Sequence, residues 1–105
     1  GWSASTGELD WVLRPLLATS SFPPANSNYA YYSNPKLDSL LTAALKTTDR
    51  AEKTKIYDEA QELIWKDAPW VFLVVDQGIS ARSANLTGFY SLKDGGFNFL
   101  EADLK

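Results

Sequence analysis

Cysteine, histidine and methionine are all missing from the 105 residues. Their absence removes thiol nucleophiles, disulfides, zinc sites of the usual Cys/His kind and histidine general bases. It leaves the compartment open, since a chain without thiols is compatible with an oxidising one, where nothing can mis-pair. Excess positive charge is missing too. The net charge is −3, and only Lys53 and Lys55 sit close together, beside acidic neighbours. Such a chain has no electrostatic footprint for a polyanion, so no nucleic acid is expected as a partner. There is no long hydrophobic run. The longest, Trp70 to Val75, is far too short to span a bilayer, and no secretory leader is visible. Nor is there an initiator Met: Gly1-Trp2 opens directly into apparent fold sequence, which reads as an excised fragment or a processed product.

What is present is an ordinary globular composition, 45% hydrophobic and 22% charged, in a length that suits one small domain. Leu9, Val12, Leu13, Leu16 and Leu17 recur at helical spacing, although Pro15 lies inside the pattern and is tolerated only near a helix start. Thr19 to Tyr32 reads as a long loop with Pro23-Pro24 and the aromatics Phe22, Tyr29, Tyr31 and Tyr32. Those tyrosines either touch a ligand or partner or, as the more economical reading, cover a neighbouring helix.

Asn34-Pro35 predicts a clean helix start, a capping side chain followed by proline at the first helical position. Leu37, Leu40, Leu41, Ala44 and Leu45 form its apolar stripe. Asp49, with Glu52 three residues on, predicts a second capped helix whose apolar face is Ile56, Tyr57, Ala60, Leu63 and Ile64 and which ends before Pro69. Two amphipathic helices with so short a joint predict an antiparallel hairpin. Leu41, Leu45, Ile56 and Leu63 are expected in its seam. The run Trp70–Val75 predicts a strand buried on both faces, with Ile79–Arg82 as a possible continuation. Turn chemistry at Asn85–Gly88 and Lys93–Gly96 brackets short strands at Phe89–Leu92 and Phe97–Phe99.

Catalytic chemistry is thin. Glu8 and Asp10 are two carboxylates near a loop, a pairing far more often solvated surface than a glycosidase-like acid and base. The serines have no activating histidine and no nucleophile motif. The glycines have no phosphate-loop spacing, and Asn85-Leu86-Thr87 matches the glycosylation sequon only as a short chance motif. On residues alone the chain is a non-catalytic α/β domain.

Three blocks carry a resemblance over essentially the whole chain. They are Gly1-Trp2-Ser3-Ala4-Ser5-Thr6-Gly7-Glu8-Leu9-Asp10, Tyr31 to Asp49 with its Ser33-Asn34-Pro35-Lys36-Leu37-Asp38 core, and Tyr57–Gln61 followed by Asp67-Ala68-Pro69-Trp70. Their order and spacing resemble the end of the bacterial family 5 peptide- and glutathione-binding extracytoplasmic proteins that serve ABC importers. The resemblance implies an α/β C-terminal portion of a two-lobed type II periplasmic-binding-protein fold, with a helical hairpin, a buried strand and short terminal strands. It implies that residues 1–78 belong to the C-terminal lobe and that 79–105 return to the other. It places Trp2, Ser3, Ala4, Ser5 and Thr6 against the ligand, whose main chain would pair with this stretch by strand addition. Many peptide binders of the family have an aspartate where this chain has Ser5; the members associated with glutathione are similar to this chain there. On residues alone, Trp2 as core and Ser3–Thr6 as a solvated strand end remain the simpler alternative.

The expectations that follow are a glutathione or short-peptide ligand, a membrane permease as partner, a periplasmic location, no enzyme activity, no cofactor and no metal. Self-association of the exposed chain is also expected. The rivals are a free-standing interaction module and a hydrolase fragment using Glu8 or Asp10.

Overall fold

The computed structural model describes Trp2 and residues 7–75, 77–92 and 95–105. Three helices come first: α1 (Asp10–Leu17), α2 (Pro35–Lys46) and α3 (Arg50–Asp67). A short 3-10 turn, Thr19–Ser21, follows α1. Four two-residue strands follow α3: β1 (Leu86–Thr87), β2 (Tyr90–Ser91), β3 (Phe97–Asn98) and β4 (Asp103–Leu104).

The hairpin starts as its sequence dictates. Asn34 accepts the backbone N–H groups of Lys36 and Leu37 at 2.9 and 3.4 Å, with Pro35 at the first helical position. Asp49 accepts the Glu52 N–H at 2.7 Å. The return arm of this capping box runs through Thr47, whose hydroxyl donates to the Glu52 carboxylate at 2.6 Å and accepts the Asp49 N–H at 3.2 Å. The end of α2 is thereby tied to the start of α3. α3 ends where Ala68 turns left-handed, at φ 45°, just before Pro69.

Among the described residues, all ten buried hydrophobic ones lie between Leu13 and Ile64: Leu13, Leu16, Leu17 and Ala18 at one end of α1, Leu37, Leu41 and Ala44 on α2, and Tyr57, Ala60 and Ile64 on α3. Ala44 and Ala60, both fully buried, let the two hairpin helices approach closely. This corrects the expected seam. Leu41 lies inside it, but Leu45 is 62% exposed, and Ile56 and Leu63 pack only at its edges. With Ala44 on the contact line, its neighbour Leu45 lies about 100° further round the helix, towards solvent.

α1 does form, with Pro15 inside it. Its missing N–H would leave the Trp11 carbonyl without its helical donor. The indole N–H of Trp2 fills that vacancy at 2.9 Å. The loop from Phe22 to Ser33 is organised by Asn28, which is fully buried. Its amide donates to the carbonyls of Ala18 and Tyr32, and its oxygen accepts the Tyr32 N–H. Of the loop tyrosines only Tyr32 packs on the core; Tyr29 and Tyr31 are exposed, so they do not cover a helix.

The buried strand expected at Trp70–Val75 is not formed. The run carries no ladder, and Val71 and Val75 are 82% and 99% exposed. A strand buried on both faces needs paired edges and a layer on each side, and no described residue supplies them. Among the described residues, the ring stacked on the run is Trp65, 5.4 Å from Phe72. Ile79–Arg82 is likewise exposed and outside any ladder. The terminal strands match expectation more closely, because β2 and β3 lie inside the two predicted segments and pair antiparallel. β1 falls in the segment expected as turn chemistry and β4 in one with no expected strand; they pair antiparallel as Leu86 with Leu104 and Thr87 with Asp103. Gly88 makes this possible: its φ is 68°, and a Cβ there would overlap the Glu101 carbonyl. Phe89, Phe97 and Phe99 cluster beside the β2–β3 pair. The radius of gyration, 17.8 Å, exceeds the roughly 13 Å of a compact domain of this length, as an extended stretch between hairpin and ladders requires.

Truncating Leu41 to Ala should destabilise the hairpin by about 2–5 kcal/mol, because the site is fully buried. Leu45→Ala should stay within about 0.5 kcal/mol, and Leu63→Ala should fall between. Equal shifts of the denaturation midpoint for Leu41 and Leu45 would contradict this packing.

Candidate ligand-binding site

Of the five residues expected at the ligand, Trp2 is described, and Ser3, Ala4, Ser5 and Thr6 lie outside the described residues. Trp2 is not core. It is 49% exposed, and its indole N–H is bound to α1. One ring edge is thus fixed while much of the side chain stays accessible, close in sequence to Ser3–Thr6. Trp11, 56% exposed, flanks it.

The carboxylates Glu8 and Asp10 do not work as a pair. Asp10 receives two hydrogen bonds from Arg14, each 2.8 Å, and Arg14 also donates to the Leu41 carbonyl at 2.8 Å. The bidentate contact and nearby negative charge raise the Arg14 pKa against the opposing effect of its partial burial. Asp10 therefore orients Arg14, which holds α1 to α2. Glu8 pairs elsewhere, 3.8 Å from Lys53. No group of three or more carboxylates among the described residues is placed to hold a metal.

Next to the start of α1 is an open groove of about 470 Å³, lined by Gly7, Glu8, Thr48, Arg50, Lys53 and Tyr57 among others. Arg50 and Lys53 stand one turn apart on the first part of α3. Arg50 makes no ion pair among the described residues. Sequence reading passed over both, because the groove joins the end of the α2–α3 joint to residues some forty positions earlier. Asp10 and Arg14 do carry a local signal, the four-residue spacing of a helical ion pair. Tyr32 and Asp67 carry none: the Tyr32 hydroxyl and the Asn34 amide both donate to one Asp67 oxygen, at 2.6 and 2.7 Å. This clasp joins the entry of α2 to the exit of α3, where the Trp70–Val75 run departs.

No family model matches the chain. Its fold matches HbpA2 from Haemophilus parasuis, with a TM-score of 0.74 at 22% identity, over 99% of this chain and 20% of that one. The fold is therefore a portion of the periplasmic-binding-protein fold expected from the sequence. The full 105 residues are 58% identical to the glutathione-binding protein GsiB of Salmonella typhimurium and 54% identical to that of Escherichia coli. Over 104 residues the identity to GsiB of Pectobacterium atrosepticum is 60%. The chain spans 20% of the length of these curated relatives. The resemblance drawn from its motifs thus holds along the whole chain, and the relatives carry the name of binding proteins. No helix among the described residues is long and apolar enough to cross a membrane.

The clasp has a pH signature. Burial, and then the bond to Asp67, push the Tyr32 hydroxyl up from 10.0 to about 12. The bonds from Tyr32 and Asn34 hold Asp67 below its usual 3.8. A raised phenol stabilises the fold fully below pH 10 and loses that contribution as the pH climbs to about 12; a depressed carboxylate contributes above pH 3.8 and loses it as the pH falls further. Spectrophotometric titration should show Tyr32 ionising late, together with Tyr57, which burial and then the nearby Asp10 and Glu8 also push up, and Asp67→Asn should bring Tyr32 part of the way back towards 10. An unchanged curve would mean the clasp does not form in solution.

Proposed function

We propose that this chain is part of the solute-binding component of an ABC importer, capturing glutathione or a related short peptide outside the cytoplasm for a membrane permease. The observation that carries the reading is identity of 54–60%, end to end, with proteins named for binding glutathione. The mechanism is capture between two lobes followed by closure. Residues 1–78 would lie in one lobe, and 79–105 would return to the other. The extended, exposed stretch after α3, with its separate ladders beyond, supports that division. Bacterial periplasm is the location this role requires. Catalysis, a cofactor and a metal have no part in it.

Trp2, Ser3, Ala4, Ser5 and Thr6 are the proposed ligand-facing stretch. The tethered and half-exposed Trp2 supports it. Ser5 offers a neutral hydroxyl where an aspartate would fix a ligand ammonium, a charge-assisted contact worth roughly 1.5–3 kcal/mol. Ordinary peptides held by their α-amine therefore gain nothing from this position. In glutathione the α-amine sits on the γ-linked glutamyl end, outside normal peptide geometry.

Uncovered, the apolar run Val71–Val75 should drive the isolated chain to self-associate. Sedimentation showing a monodisperse monomer at high concentration would count against that. The ligand reading is tested in a chimera in which this chain replaces the aligned segment of the E. coli relative. Calorimetry should show glutathione binding more tightly than Ala-Ala, and Ser5→Asp should move preference towards Ala-Ala by up to about tenfold per 1.4 kcal/mol gained. A folded chimera that prefers Ala-Ala, or a preference indifferent to Ser5→Asp, would remove Ser5 from the site.

A further inference from the structure

The groove between the start of α1 and the first turns of α3 has a chemistry the ligand-facing stretch lacks. Its volume, about 470 Å³, lies within the range of small-molecule sites. Two cationic side chains line it, Arg50 and Lys53, in a chain whose net charge is −3. Their positions, i and i+3 on one helix, put both on the same face.

Arg50 is left without an ion pair among the described residues, and Lys53 has one long contact, to Glu8. The guanidinium of Arg50 meets no carboxylate among the described residues, whereas Arg14 and Lys36 are paired at 2.8 and 2.7 Å. Lys53 has Glu8 at 3.8 Å, longer than a hydrogen bond, so a nearer acceptor can take its donors. What the fold does fix is the backbone beneath them. The Thr54 hydroxyl donates to the Arg50 carbonyl at 2.9 Å, the Lys53 N–H donates to the Asp49 carbonyl at 2.9 Å, and the buried Tyr57 forms the floor. One unpaired and one loosely paired cation on hydrogen-bonded helix backbone can take a carboxylate: a planar fork from arginine, a point charge from lysine.

We propose that this groove is a carboxylate subsite, in which Arg50 and Lys53 hold a terminal carboxylate of a short anionic peptide and Thr48 lends a neutral hydroxyl at the rim. This deepens the function proposed above and rests on it. Glutathione fits the charge logic, since at neutral pH it carries two carboxylates against one ammonium. The groove opens at Gly7, which directly follows the Ser3–Thr6 stretch in sequence. Selection then has two sources: no anion at Ser5 to reward an ordinary α-amine, and two cations here to reward a carboxylate.

The test uses the same chimera, with glutathione and its diethyl ester, in which both carboxylates are masked. The chimera should bind glutathione well above the ester. The double variant Arg50→Gln/Lys53→Gln should bind glutathione at least about tenfold more weakly, a loss of about 1.4 kcal/mol, and the gap between acid and ester should narrow. A merely structural role would weaken both ligands alike and leave the gap intact, which overturns the proposal; so does a double variant within twofold of the parent. In either case glutathione binding by the parent chimera leaves the broader function standing. A folded chimera that binds no glutathione sinks both. Nuclear magnetic resonance on the isotope-labelled chimera is the second readout, because it places the contact residue by residue. Millimolar glutathione should shift the Lys53 and Thr54 amides and leave Val74 unmoved, and no shift in the double variant is expected. Absent or scattered shifts in the parent chimera overturn the subsite.

Discussion

The contact between α2 and α3 is the constraint on which the rest of the molecule depends. Ala44 and Ala60 bring the two helices close, and Leu37, Leu41, Tyr57 and Ile64 fill the seam around them. Everything else is attached to that pair. α1 lays Leu13, Leu16 and Leu17 on it and is locked by Arg14, which reaches the Leu41 carbonyl while held by Asp10. The 3-10 turn is fixed from α2, where Asp38 accepts the Thr19 N–H at 2.9 Å. Because the same joint that closes the hairpin also presents Arg50 and Lys53, the apolar seam sets the position of the charged groove.

Polar tethers complete what so small a core cannot. A chain of this length buries a modest share of its surface, and here no described residue beyond Ile64 adds a buried hydrophobic side chain. Asn28 organises the loop from inside, with each of its side-chain polar atoms bonded, which makes burying it tolerable. Asp67 gathers Tyr32 and Asn34 at the opposite end of the hairpin. Asn34 thus serves twice: its oxygen caps α2 and its amide holds α3. These contacts fix the directions in which the loop enters and the extended run leaves.

What the sequence made legible was local. Asn34-Pro35, Asp49 with Glu52, and Pro69 act through hydrogen bonds within a turn or two, and the structure has each of them where they point. The β-hairpin around Gly95 is legible for the same reason. Trp70–Val75 failed because a strand is a relation between segments: its composition expresses a demand for partners that nothing in these described residues meets. Pro15 misled in the other direction, since the donor that compensates it comes from Trp2, nine residues away. Leu45 lies outside the seam because the apolar stripe is wider than the single contact line, which Ala44 occupies instead. The ligand-facing stretch was readable only through resemblance, because Ser, Ala and Thr in a row carry no chemistry of their own. Arg50 and Lys53 were invisible as a site until the fold set them beside Gly7 and Glu8.

Charge distribution connects these observations. With 13 acidic and 10 basic residues, the chain as a whole repels anions weakly, and a negative ligand gains nothing from the long-range field. Any preference for such a ligand must come from short-range contacts, where a cation without a partner is most effective. Arg14 and Lys36 are neutralised close by, which leaves their surroundings electrostatically quiet. Arg50 is not, and Lys53 only loosely. Two cations together on one helical turn, beside the groove at Gly7 and Glu8, form the local charge pattern that distinguishes an anionic peptide from a zwitterionic one.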